Sequence, residues 1–308
     1  MAVLEQIIFK AIPHTEDPVL AGARKNIQDG KFGAAISGLT NYVKNPTFNV
    51  SDTKEFTTSH SNEANLLTYV ATYKKQVKNR KASEAITTIQ DAKAFVNLNM
   101  SQRKDTLITL LTIEEAGILK KQGVGPHARE ILASVPDRAA GGEKVYMIAE
   151  MDFDDGNYVK SAEGFERVYR MNPQRSRIKD RVIGAYRVLA DPNVTPALDG
   201  SFDGVKPKII DNYSQAETKF NHGAVKEALK MFADVKRQLG GRFYDPRRIA
   251  PKADAEKAME AKILHWNALA SIIERQPQTA LQQLRQANQL VQSPRAYSLM
   301  ADVYQNMK

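Results

Sequence analysis

The feature that most constrains this chain is a spaced pair of residues that recurs along it, a small one followed four positions later by a large apolar one. The pair occurs at Ala35/Leu39, Ala85/Ile89, Ala128/Leu132, Ser161/Phe165, Ala228/Phe232 and Ala280/Leu284. Around these positions apolar residues keep a three-and-four spacing, and sustained strand-type alternation is hard to find, so the pattern predicts an all-α chain. On a helix the small residue lets a neighbouring helix come close, and its larger companion fills the space beside it. A turn residue precedes most of these helices by a few positions: Gly30, Gly123, Gly156 and Gly223, with Pro277 in that role in the last case. A glycine there permits the positive φ that ends one helix before the next begins. The expected unit is therefore a pair of helices, each about 12 to 15 residues long.

One block is more specific. Ile148-Ala149, Gly156-Asn-Tyr158, Ser161-Ala162, Phe165 and Asn172-Pro173 run in the order small residue, glycine turn, aromatic, small residue, aromatic and terminal proline. In that order the chain resembles the tetratricopeptide repeat family. Ala23, Gly30, Phe32, Ala35, Leu39 and Asn45-Pro46 repeat the order near the start, and Ala216, Gly223, Ala228 and Phe232 repeat it later. The early-helix tryptophan of the family is absent, and Trp266 sits off register. The step from Ala128 to Ser161 matches the family period of about 34 residues, and that from Ser161 to Ala228 is close to twice it. A weakly marked hairpin is therefore expected between the last two, with its first helix at Arg181 to Ala190.

The resemblance covers roughly residues 16–308 and implies one solenoid domain over 1–308, a right-handed superhelix of about seven hairpins. A C-terminal capping helix is expected from Pro294, with Tyr297, Met300, Ala301 and Tyr304 facing the last pair. Segments rich in turn-forming residues at 45–62, 191–207 and 240–254 read as irregular insertions. A helical solenoid of another twist would share the same hairpin pattern.

Composition removes several kinds of chemistry. The absence of cysteine excludes disulfides, thiolate catalysis and cysteine-based zinc sites. No uncharged apolar stretch approaches the roughly 20 residues of a membrane span. The first residues lack a basic leader with a small-residue cleavage site, which makes the cytoplasm the expected compartment, with the periplasm as the alternative if a leader has been removed.

No set of residues is ordered for a reaction, and neither a cofactor nor a metal is expected. Asp152, Asp154, Asp155, Gly156 and Glu163 gather carboxylates near a turn, but the glycine falls one position too early for a calcium loop. The five histidines, His14, His60, His127, His222 and His265, lack the spacing of a helical metal motif. Gly123-Val-Gly-Pro-His127 has no Gly-Lys-Ser/Thr continuation and reads as a turn between helices.

The resemblance instead implies a non-catalytic scaffold that holds a partner segment in a concave groove lined by the first helices of successive hairpins. By register the groove residues are Lys74, Lys78, Tyr146, Glu150, Phe153, Tyr213, Glu217 and Phe220. The net charge of +9 favours an acidic or extended protein segment, within a multiprotein complex or alone. Basic clusters stand at Arg175, Arg177 and Arg181 and at Arg247 and Arg248. They keep nucleic-acid binding open as an alternative, although acids such as Glu114, Glu143 and Glu150 interrupt the positive charge. A third reading is a structural subunit of a larger self-assembly.

Overall fold

The computed structural model of the protein describes residues 17–44, 54–101, 103–195, 202, 205–240 and 254–307. Among those residues the fold consists of fourteen α-helices and one short 3-10 turn at Ala139–Gly141, and no strand occurs. The all-α expectation holds. No helix among the described residues is long and apolar enough to cross a membrane. Where the sequence reading treats residues 1–308 as one domain, the helices cluster into two compact units.

The spaced pairs behave as their chemistry requires: all twelve residues are buried to 1% exposure or less. The turns before them share one geometry. Gly30, Gly123, Gly156 and Gly223 take φ values of +72°, +76°, +79° and +82°. Where glycine is missing an arginine adopts the same conformation, Arg80 at +61° and Arg275 at +59°. In the last hairpin Pro277 therefore does not replace glycine. It opens the following helix, where its missing N–H costs nothing, and Arg275 supplies the reversal.

In five of the six turns the residue after the reversal donates its N–H to the carbonyl five positions back, at 2.7 to 3.0 Å. The donors are Lys31, Lys81, Val124, Ala224 and Gln276, and the bond closes the end of the first helix. Five positions after each reversal the small residue's own N–H closes the first turn of the second helix, at 3.0 to 3.2 Å. Local chemistry thus dictates the same stop and restart each time.

Unit 1 comprises Met1–Asp155 with Arg170–Asn172. Its helices are α1 (Pro18–Gln28), α2 (Phe32–Lys44), α3 (Lys54–Lys78), α4 (Ala82–Asn99), α5 (Lys104–Lys121), α6 (Gly125–Leu132) and α7 (Glu143–Asp154). Each packs on the next, and contacts also join α1 to α3 and α5 to α7. The core runs from Leu20 and Ile27 through Leu67, Ile89 and Leu111 to Leu132 and Met151. The insertion expected at 45–62 is in part a helix, because α3 begins at Lys54. Its opening turns are polar, yet His60, Glu63, Ala64 and Leu67 are buried at helical spacing, so the packed face continues back into a stretch whose composition suggests a loop.

Unit 2 comprises Gly156–Tyr169 with Pro173–Lys308. It contains α8 (Tyr158–Met171), whose last two residues belong to unit 1, then α9 (Ile178–Leu189), α10 (Pro207–Asn221), α11 (Val225–Gly240), α12 (Asp254–Ile273), α13 (Pro277–Leu290) and α14 (Pro294–Asn306). Helix α10 packs on α11 and α12 on α13, and Phe220, Phe232 and Trp266 join in one aromatic core.

Helix α9 coincides with the weakly marked helix expected near residues 181–190, but the helix lying along it is α14. Tyr297 and Tyr304 stack on Tyr186 at 6.0 and 6.1 Å between ring centres. The four residues expected to cap the last pair are thus buried, largely against α9 rather than only against α13. Glu166 of α8 fixes this closure. Its carboxylate accepts two hydrogen bonds of 2.9 Å from Arg285 of α13 and one of 2.8 Å from the Tyr304 hydroxyl. Burial and the Glu166 carboxylate both push the Tyr186 and Tyr304 hydroxyls well above the usual tyrosine range.

Candidate functional site

In unit 1 the expected groove residues prove to be bound up in the fold. Arg24 of α1 pairs with Glu63 of α3, Lys74 of α3 with Glu114 of α5 at 3.3 Å, and Lys120 of α5 with Glu150 of α7 at 2.5 Å. Each pair links alternate helices. Lys74 is buried and Glu150 half-buried, so both serve the packing of the unit that was expected to present them to a partner. Lys78 is exposed, with its ammonium 5.8 Å from the centre of the Phe32 ring. Tyr146 and Phe153 are half-buried on α7. The acidic turn after α7 is also accounted for, since Arg129 binds Asp152 at 3.0 Å and Asp155 at 2.8 Å. Among the described residues no cluster of side chains could hold a metal ion.

In unit 2 Tyr213 and Phe220 correct the expectation too. They lie seven residues apart on the face of α10 that packs against Trp266 and Phe232, and both are buried. Tyr213 nevertheless reaches a site. The Trp266 indole donates to the Tyr213 hydroxyl at 3.0 Å, and that hydroxyl donates to the Glu217 carboxylate at 3.2 Å. The relay fixes Glu217 at the wall of a cleft of about 220 Å³.

The cleft is lined by residues of α10, α12 and the α13–α14 junction, including Glu217, Lys262, His265, Trp266, Ser293 and Arg295. Its cations rest on aromatic surfaces. The Lys262 ammonium lies 4.5 Å from the centre of the Phe202 ring and the Arg295 guanidinium 6.0 Å from that of Trp266. Neither has a carboxylate partner within 4 Å among the described residues. His265 is pushed down to about 4 by burial and by Arg295, so its ring is neutral near pH 7 and offers a hydrogen bond without a charge. Burial raises the Tyr213 hydroxyl well above the usual range, which keeps it a donor. No side chain caps the first turn of α14, which opens beside Arg295.

No protein-family model matches the chain, and no curated protein is significantly similar to it in sequence.

Tyr213 and Glu217 are the two expected groove residues that the structure brings together at this cleft. Lys262, His265 and Arg295 are not among the expected groove residues. The first two share a face of α12 with Trp266, a legible spacing, whereas Arg295 arrives from a helix with no local link to them. Arg175 is half-buried, and Arg177 and Arg181 are exposed near the start of α9. Arg247 and Arg248 lie outside the described residues. The arrangement offers charge, hydrogen bonds and apolar surface, which suit recognition.

Proposed function

We propose that this chain is a non-catalytic interaction scaffold, a tetratricopeptide-like stack of helical hairpins that holds a segment of a partner protein. One observation carries the reading. Lys74 and Glu150 are consumed internally, on Glu114 and Lys120, whereas Lys262 and Arg295 stand over aromatic rings at one cleft with no partner carboxylate among the described residues. Rings bury area at small entropic cost and charges orient what docks, a combination enriched where proteins bind one another. The alternating contacts of α1, α3, α5 and α7 support the repeat reading. The groove expected along the whole chain thereby narrows to a cleft in unit 2.

The test is affinity capture from the native source with the full chain and with a Lys262→Glu/Arg295→Glu variant, with and without nuclease. A protein retained by the wild type and released by the variant in both arms is the expected result. Recovery of nuclease-sensitive material alone would favour a nucleic-acid binder, and recovery of only the chain itself would favour a self-assembling subunit; either overturns the reading.

A further inference from the structure

Resting on that interaction reading, we infer that the unit 2 cleft is a receptor for a single carboxylate, recognised between Lys262 and Arg295. Lys262 and Arg295 contribute two positive charges at the cleft and Glu217 one negative, a net charge of one that matches a monoanion. A carboxylate takes charge-assisted hydrogen bonds from arginine and lysine, and the fork of Arg295 suits its two oxygens. A phosphate carries more charge at neutral pH and meets Glu217 on the same wall. His265, held neutral, adds a hydrogen-bonding atom without altering the balance. The first turn of α14, which no side chain caps, lines the cleft through Ser293, Arg295 and Ala296 and adds the positive end of a helix there. Ala258, Ala261, Ala287 and Val291 supply apolar lining for the short aliphatic stem of an acid. A cleft of about 220 Å³ admits a glutamate- or aspartate-sized group.

The chain contains its own reporter, because Trp266 is its one tryptophan and lines the cleft. Trp266 emission is followed while the full chain is titrated with acetyl-Ala-Glu-Ala-amide, with its glutamine analogue, with butyrate and with inorganic phosphate. The glutamate peptide should give a saturable change that the glutamine analogue does not, and Lys262→Gln or Arg295→Gln should weaken it about tenfold. Phosphate should bind poorly to the wild type and better to Glu217→Gln. A peptide at least about ten times tighter than butyrate identifies an acidic side chain on a polypeptide as the source, and equal affinities identify a free small acid. Equal responses to the glutamate and glutamine peptides, tighter binding of phosphate by the wild type, or indifference to both cation substitutions would overturn the inference. Should these titrations fail while capture still depends on Lys262 and Arg295, the carboxylate assignment falls and the scaffold reading stands. The reverse pattern removes the scaffold and leaves a small-acid site.

Discussion

At the scale of single residues, the six shared turns make a direct test of backbone physics. Arg275 holds a left-handed conformation at φ +59° that glycine adopts without penalty, and its side chain is exposed. Arg275→Gly should therefore stabilise unit 2 by roughly 0.5 to 1 kcal/mol, and Gly223→Ala should destabilise it by about 1 kcal/mol. Urea unfolding followed by Trp266 emission reads both. Ser161 departs from the alanine found at the other five equivalent positions, and its buried hydroxyl finds no hydrogen-bond partner among the described residues. Ser161→Ala should stabilise by about 1 kcal/mol in the same assay, because a desolvated donor is removed without leaving a cavity. His265 adds a pH dependence. Its value falls from the ordinary 6.5 to about 4 in the fold, so between those limits the unfolded chain binds the extra proton. Stability should be complete above pH 6.5 and fall as pH drops towards 4, and His265→Gln should flatten that slope in unfolding curves taken across the range.

At the scale of elements, what the sequence made legible was whatever local spacing controls. The buried pairs, the glycine reversals and the helix following each are decided within a few residues, and they stand where the pattern predicts them. Contacts between distant residues were not legible. Glu166 meets Arg285 across 119 residues and Tyr304 across 138, and nothing near any of the three announces the meeting. For that reason the sequence points only to the packing of α14 on the last pair, which occurs, and not to the stacking of its tyrosines on α9. The same blindness made Lys74 and Glu150 look available, since their partners lie on other helices. Because the Glu166 carboxylate is buried and bridges α8, α13 and α14, Glu166→Gln should cost unit 2 about 3 kcal/mol by leaving Arg285 without its counter-charge. A Glu166→Leu/Arg285→Met double substitution should recover much of that loss, as judged by thermal unfolding.

At the scale of the molecule, the two units divide their charges differently. Unit 1 spends acidic and basic residues on joining alternate helices, and unit 2 leaves cations at a cleft floored by aromatic rings. Part of that cleft could be anticipated, since Tyr213 and Glu217 follow from helical register. The rest depended on knowing that the start of α14 is brought beside α12, a consequence of its packing along α9 and α13. The most direct test of the account places a photo-crosslinking residue at Gln292, exposed at the rim of the cleft, in the chain expressed in its native source. The account predicts a covalent adduct with a second protein that disappears when Lys262 and Arg295 are both changed to glutamate. The absence of any protein adduct at this position, or one that persists unchanged in that variant, would contradict it.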